Sequence, residues 1–399
     1  MPSLSHRRLR TVLAASCATL ALAACAAVPN MGPKPQPAQI GSFAADRSFT
    51  APDTAWASDR WWDAYGDPQL SALIDEALAH SPTLAQAEAR MRAADAEVEQ
   101  SRAALLPNAS FNGSVSETES SRAIGFPPLI QGFLPKGYNA ESSLTFNASY
   151  DLDLFGKNRA ALAAAVSEAE AQKADLAQAR LTLSTSVAQA YADFARLIAE
   201  RDAAADDVQD RMASAKLVSN RVQNGLDTQA ELKQAEAATP SSQADVEALD
   251  EQILIARHRL AALLGEGPDR GLDITAPPTE AIKPFGLPSD LRVNLVGRRP
   301  DIVAARLRVE AAAKKIDQAR ADFYPNISLS GYIGQQALYL QNMFTPAAAI
   351  GSLGPAVSLP LFEGGRLRGA YRGARAAYDE AVDSYNQTLI TALQDVADA

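Results

Sequence analysis

Cysteine is almost missing from this chain. Its 399 residues include only Cys17 and Cys25, both near the N-terminus. Everything after them lacks a disulfide framework and a cysteine metal site. Histidine is as sparse: His6, His80 and His258. No HExxH, G-x-S-x-G, P-loop or G-x-G-x-x-G pattern occurs, so the usual hydrolase and nucleotide chemistries have no residues to run on. A basic face is missing too. The net charge of −10 argues against a nucleic-acid binder, which must displace counterions with cations. Aromatics are 6% of residues although 47% are hydrophobic. Much of that apolar count is alanine, which builds long helix rather than a conventional core.

What is present begins with a leader. His6, Arg7, Arg8 and Arg10 form a positive region, and Thr11 to Ala24 form a short apolar run. A bilayer span needs roughly 20 apolar residues, and this run is shorter, which disfavours a transmembrane anchor. Leu22-Ala23-Ala24-Cys25 resembles the bacterial lipobox, in which the cysteine is lipidated and becomes the new N-terminus. Ordinary cleavage near the A-x-A sequence is the alternative. Ala14 stands three residues before Cys17, where a lipobox has Leu, so Cys17 fits less well. Ala26 follows Cys25 in place of an Asp that would favour inner-membrane retention. The outer membrane is therefore expected. A diacylglycerol and an N-acyl chain on Cys25 would anchor stably, because several acyl chains act together. Val28 to Trp56, rich in Pro, Ala and Ser, read as an extended tether.

The chain repeats itself. With Pro82 set on Pro300, Pro107 falls on Pro325 without a gap. Ala93/Ala311, Gln100/Gln318, Arg102/Arg320, Asn108/Asn326, Ser110/Ser328 and Gly113/Gly331 then match. A second block sets Leu154-Phe155 with Arg159 on Leu361-Phe362 with Arg366. In both repeats a helical stretch opens at a proline, where the missing N–H costs little. It stops at the next proline, which pushes its predecessor out of the α region.

After each stopping proline the period becomes two. Ala109, Phe111, Gly113 and Val115 share one face, against Asn108, Ser110, Asn112 and Ser114. Leu144, Phe146, Ala148, Tyr150, Leu152 and Leu154 alternate with Ser143, Thr145, Asn147, Ser149, Asp151 and Asp153. The second repeat supplies Ile327, Leu329 and Ile333, then Leu353, Val357, Leu359 and Leu361. Such strands suit a membrane β-barrel with lipid outside and water inside. A half-buried strand of a soluble sheet alternates in the same way. The lipobox and the repeat favour the barrel, with Ser143 to Asp153 of the polar set facing its lumen. Loops are expected over Ser120 to Tyr138 and Gln335 to Gly351.

Neither Pro nor Gly occurs from Asn158 to Asn220. At 1.5 Å per residue that is roughly 90 Å of helix, far more than a globular core uses. Val187, Tyr191, Phe194 and Ile198 form an apolar seam. Val246, Leu249, Ile253, Ala256, Leu260 and Leu263 form another, so the two segments are expected to pack as an antiparallel coiled coil. Between them, Asn224-Gly225-Leu226-Asp227-Thr228 can make a sharp turn, with Gly225 as a left-handed cap and Asp227 or Thr228 starting the next helix. Leu226 would be apolar and exposed at the tip. A plain coiled-coil rod accounts for the helices but not the strands. An enzyme could use Asp151 with Asp153, or Arg298-Arg299-Pro300-Asp301. The latter reads more simply as a helix start.

Trp61-Trp62, Asp67-Pro68-Gln69-Leu70, Asp151-Leu152-Asp153-Leu154-Phe155-Gly156, Arg299-Pro300-Asp301-Ile302, Phe323-Tyr324-Pro325-Asn326 and Leu359-Pro360-Leu361-Phe362-Glu363-Gly364-Gly365-Arg366 together resemble the TolC-like outer membrane efflux factors, NodT-type lipoprotein group. The resemblance runs from about Trp61 to Ala399. It implies a mixed α and β fold: long coiled-coil helices in a periplasmic α-barrel, and four strands per subunit of a trimeric transmembrane barrel. It implies a homotrimer, a periplasmic adaptor docking at Asn224, Gly225, Leu226 and Asp227, and an inner-membrane RND-type pump supplying energy. The duct would open passively, by splaying of helices, with no cofactor beyond the lipid on Cys25.

The expected organisation is a signal peptide over 1–24, a lipid-anchored tether over 25–60, a helix over 61–106 and a strand pair over 107–155. A helical hairpin follows over 156–265 with its tip at 220–228, then an equatorial linker over 266–290, a helix over 291–324, a second strand pair over 325–362 and a helix over 363–399. Two features depart from the family pattern. Pro240 falls inside a helix and should kink it. The sequence stops at Ala399 without counterparts of Asn220–Gly265, as in a partial sequence or a product unable to close a normal channel. The duct of a type I protein secretion system and a truncated non-conducting fragment therefore stay open as alternatives.

Overall fold

The computed structural model describes residues 28–44, 47, 56, 58–119, 137–278 and 297–398. Two compact units divide it. One takes residues 1–38, 93–171 and 305–387, the other 39–92, 172–304 and 388–399.

Where one helix was expected over 61–106, there is a 3-10 turn at Trp61–Tyr65 and then two helices, α1 (Pro68–His80) and α2 (Pro82–Ala103). Asp67 starts α1 by accepting from the backbone N–H groups of Gln69 and Leu70 at 2.8 and 3.2 Å, with Pro68 in the first turn. Pro82 ends α1, because Ser81 before it is held extended at φ −63°, ψ 122°. Strands β1 (Asn108–Thr118) and β2 (Asn139–Asp151) follow.

Helix α3 (Lys157–Gln223) has 67 residues, and α4 (Gln229–Leu264) returns. A capping box starts α4: the Thr228 hydroxyl accepts from Glu231 N–H, and the Glu231 carboxylate accepts from Thr228 N–H at 2.6 Å. Gly265 closes α4 at φ 82°. Pro240 lies within α4, which runs on through it to Leu264, at the cost of one backbone hydrogen bond. A short helix α5 (Asp269–Leu272) precedes α6 (Pro300–Ala321), β3 (Asn326–Leu338), β4 (Ala349–Ser358) and α7 (Arg366–Asp398). β3 runs past the expected loop start: Gln335 still pairs with Ala349.

The first unit holds the sheet, in the order β1-β2-β3-β4, with every neighbour antiparallel. Its helical core includes a seam on α7: Tyr371, Arg375, Tyr378, Val382 and Tyr385 are buried at spacings of 4-3-4-3. Tyr371 meets Phe323 edge to face, centroids 6.2 Å apart. The stretch Val28–Ala38 lies pinned along α7. Arg375 donates to the carbonyls of Gly32 and Pro33, Tyr378 Oη donates to Pro35 O at 3.1 Å, and Ala38 N–H donates to Asn386 Oδ1 at 2.8 Å.

The second unit is built on a cluster of Trp62, Leu70, Leu73, Ile74, Leu84, Val187, Tyr191, Phe194, Leu260 and Leu264. Three of the four α3 seam residues read from the sequence are in this cluster, and the fourth, Ile198, packs against it. Ile253, Ala256 and Leu263 of α4 do the same.

Candidate functional site

Residues directly opposite in an antiparallel sheet project to the same face, so the register sorts the sheet into two sides. Ser110, Asn147, Tyr332 and Ser352 form one row across all four strands. Asn108, Ser149, Ser330 and Gly354 form the next. Thr145 and Ser143 extend this polar side beside Asn112 and Ser114. Asp151 ends it opposite Ser328, accepting from Asn326 Nδ2 at 3.3 Å. Asn108, Ser110, Asn147, Ser149, Ser330, Tyr332 and Ser352 line a shallow hollow on this side.

The other side is apolar. Phe111, Phe146 and Ile333 make one row, and Tyr150 and Leu329 another. All five side chains are exposed. A contiguous apolar sheet face that no layer covers among the described residues marks a surface made for a non-aqueous neighbour. β2 and β3 approach closely on the polar side at Gly334, where a Cβ would land on the Leu144 carbonyl with Thr145 Cα only 2.8 Å away.

Asp153 does not belong to the polar row. It lies beyond the end of β2, at φ 47°, and is buried. Its carboxylate accepts from the backbone N–H groups of Asn158 and Arg159, both at 2.9 Å, and from Arg159 Nε at 3.2 Å. It is the cap of α3. The alternation that placed it beside Asp151 breaks where the strand ends. The two carboxylates therefore cannot work as a catalytic pair: one faces the sheet's polar side and the other is spent on a helix start.

The hairpin joining α3 and α4 carries the second candidate site. Gly225 takes φ 70°, and Leu226 N–H donates to Arg221 O at 2.8 Å, the closing pattern of a helix ending in a left-handed residue. Asn224 Nδ2 donates to Asn220 O at 2.7 Å. Asp227 accepts from Arg221 Nε and Nη2 at 2.6 and 3.1 Å, and this pairing holds its carboxyl below the usual carboxylate range. With the backbone tied down, the Leu226 side chain stands out in solvent. Cys25, the expected lipidation site, lies outside the described residues.

Residues 73–266 and 291–399 match the family described as outer membrane efflux protein. The chain belongs to that family.

Over 370 residues this efflux protein is 37% identical to the fusaric acid resistance protein FusA of Burkholderia cepacia, covering 91% of this chain and 69% of that one. It is 31% identical over 350 residues to the multidrug resistance outer membrane protein MdtP of Escherichia coli K12, covering 86% and 71%. Among solved structures, the outer membrane protein VceC of Vibrio cholerae matches with a TM-score of 0.79 at 41% identity, over 86% of this chain and 80% of that one. The outer-membrane channel OprN matches with a TM-score of 0.80 at 27% identity, over 93% and 81%. The efflux protein is a channel of the outer membrane and not an enzyme.

Two groups of residues in the efflux protein escaped sequence reasoning. Tyr191, read only as a seam residue, also donates through Oη to Asp67 Oδ2 at 2.7 Å. Gln69 joins them, donating to Tyr191 Oη at 2.9 Å and accepting from Thr275 Oγ1 at 2.6 Å. Arg375 and Tyr378 were unremarked on a helix, yet they hold Val28–Ala38 in place. Both groups join positions more than 100 apart in sequence, which no local pattern announces.

Proposed function

We propose that this efflux protein is the lipid-anchored, NodT-type outer-membrane duct of a tripartite export system. Three copies each contribute four strands to one barrel. The row Ser143, Thr145, Asn147, Ser149 and Asp151 faces the water-filled lumen, and the row of Phe111, Phe146 and Ile333 faces lipid. Asn224 to Asp227 dock on a periplasmic adaptor protein, and an RND-type inner-membrane pump supplies the energy. Cys25 carries a diacylglycerol and an N-acyl chain.

The observation that carries this reading is the two-sided sheet. Phe111, Phe146, Tyr150, Leu329 and Ile333 of its apolar face are exposed, at a cost that a lipid environment removes. The hairpin supports the docking role, because a rigidly held turn presents one apolar side chain with little entropy left to lose on binding. The cargo we assign is small organic toxins, the class named in the fusaric acid and multidrug resistance relatives.

The test is complementation. A strain deleted for the gene should become sensitive to fusaric acid or to other small organic toxins, and a plasmid copy should restore resistance. Restoration by a Leu226→Asp variant present at normal amounts in the outer membrane would remove the tip from the reading. Globomycin should leave the protein as its uncleaved, slower-migrating precursor, and Cys25→Ala should prevent the lipid from being attached. Unchanged mobility and fractionation after either treatment would remove the anchor.

A further inference from the structure

The stretch pinned along α7 leads back toward the sheet. Gly32 and Pro33 meet Arg375, Pro35 meets Tyr378, and Ala38 meets Asn386. Followed toward its N-terminus, it climbs α7 to the end that starts at Arg366, soon after β4 stops at Ser358. From Arg375 to Arg366 is about 14 Å of helix. The chain from Cys25 to Gly32 can extend to about 25 Å, so a lipid on Cys25 reaches past that end of α7.

This part of α7 carries a one-signed stripe. Arg368, Arg372 and Arg375 follow at spacings of four and three, so they share one side of the helix. Arg375 shows which side, because it donates to the tether. Arg368 and Arg372 are exposed. Arg375 is 6% exposed, bonded to backbone carbonyls, with its Nε left without a partner. Among the described residues no carboxylate pairs with any of the three. Glu363 is taken by Arg366 at 2.6 Å, and the next acids, Asp379 and Glu380, lie farther from the sheet. Lys34 of the tether adds a further cation, 5.5 Å from the centre of the Tyr378 ring. Between β4 and α7, Leu361 and Phe362 are exposed, Phe362 at 91%.

The first repeat lacks this stripe. The Leu-Phe blocks set Arg368 on Ala161, Arg372 on Ala165 and Arg375 on Glu168. A helix at this level therefore folds without the arginines. They gather on the helix that the tether follows.

We infer that the tether side of α7 binds the phosphate of an anionic phospholipid in the membrane leaflet that faces the periplasm. Arg368 and Arg372 take the phosphate oxygens as planar forks. Arg375 supplies an uncompensated charge beneath them, and the acyl chains run past Phe362 onto the apolar face of the sheet. Charge and continuity choose this occupant. Three guanidiniums without a carboxylate stand where an apolar surface ends, and that is where a phospholipid carries its phosphate. The inference rests on the reading of that face as lipid-facing, and it adds a lipid class and the residues that hold it.

The experiment reconstitutes the full chain in vesicles of equal parts phosphatidylglycerol and phosphatidylcholine, extracts it in mild detergent and counts the retained lipids by native mass. We expect phosphatidylglycerol to be kept in preference to phosphatidylcholine. Arg368→Gln combined with Arg372→Gln should cut that preference roughly 25-fold, about fivefold for each cation at an anionic surface. Arg90→Gln combined with Arg92→Gln removes the same charge from α2 and should leave the preference unchanged. Equal preference in the α7 variant and the wild type overturns the site, and so does a wild type that keeps both lipids alike. Loss of the retained phosphatidylglycerol to inorganic phosphate at the same concentration overturns a lipid as the occupant. A wild type that fails to enter the vesicles overturns the lipid-facing reading, and this inference with it.

Discussion

Asp153 and Arg159 grip each other at the start of α3: Arg159 Nη2 donates to Asp153 O at 2.8 Å while Arg159 Nε and backbone N–H donate to Asp153 Oδ2 at 3.2 and 2.9 Å. One acidic residue thereby ends the membrane-side strand segment and begins the 67-residue helix. The two repeats differ here, since Pro360 takes the matching place and Arg366 turns to Glu363 at 2.6 Å.

Removing that cap tests its weight. Asp153→Ala should destabilise the protein by about 2 kcal/mol, the upper end for a lost N-cap, because the part-buried N–H groups of Asn158 and Arg159 lose their acceptor. Asp153→Asn keeps an acceptor and tolerates a positive φ, so it should recover at least half of the loss. Thermal unfolding in detergent reads both. Equal melting temperatures for Asp153→Ala and wild type would return Asp153 to the polar row.

Gly265 combines two demands. Its φ of 82° excludes ordinary side chains, and a Cβ would meet His80 O at 2.7 Å and Pro82 Cδ at 2.9 Å. Conformation alone costs roughly 1 kcal/mol, and displacing the α1–α2 junction adds about 1–3 kcal/mol. Gly265→Ala should therefore lose more stability than Gly225→Ala, which carries the same left-handed conformation in open space. Denaturant midpoints for the two variants decide it. A Gly225→Ala loss equal to that of Gly265→Ala would leave conformation as the only cost.

The architecture was legible because three periodicities are written directly in the chain: period two in β1 to β4, the apolar seams of α3 and α4, and the proline-to-proline repeat. Each is a local consequence of backbone geometry. Asp153 was misread because alternation has no signal for where a strand stops; the helix-starting acid two residues past Asp151 was the available clue. The Ser81 break in 61–106 was signalled by Pro82, although a helix opening and a helix division look alike when only the proline is read. The tip residues were legible as a turn, since Gly225 and Thr228 do recognisable work. The Asp67–Tyr191 bond and the Arg375 clamp were not, because they depend on which distant segments meet.

That Asp67–Tyr191 bond yields a prediction of its own. Burial, and then the bond to Asp67, push the Tyr191 phenol well above its usual range, so it stays a donor at every pH the protein meets. Tyr191→Phe keeps the ring in the core and removes one bond to a charged acceptor and one from Gln69. The loss should be about 1.5–3 kcal/mol, with no change at the sheet. Denaturant unfolding followed by tryptophan fluorescence, from Trp61 and Trp62 in the same unit, measures it. A midpoint shift within about 0.5 kcal/mol of zero would mean that water replaces the hydroxyl without loss.

Acid should loosen the hairpin tip, and only strong acid. Arg221 holds the Asp227 carboxyl below its ordinary value through two hydrogen bonds. A depressed carboxylate contributes its full stabilisation above its unfolded pKa and loses it as pH falls through the folded one. The pair is therefore intact from neutrality to about pH 4, the unfolded carboxylate range, and breaks below it. Amide exchange at Leu226, whose N–H donates to Arg221 O, reads the tip directly. Corrected for intrinsic rates, protection should be constant from pH 7 to pH 5 and fall below about pH 4. Arg221→Ala should exchange faster at pH 7 and show little further change in acid. Equal protection in wild type and variant at pH 7 would mean that the backbone turn at Gly225 holds the tip without the ion pair.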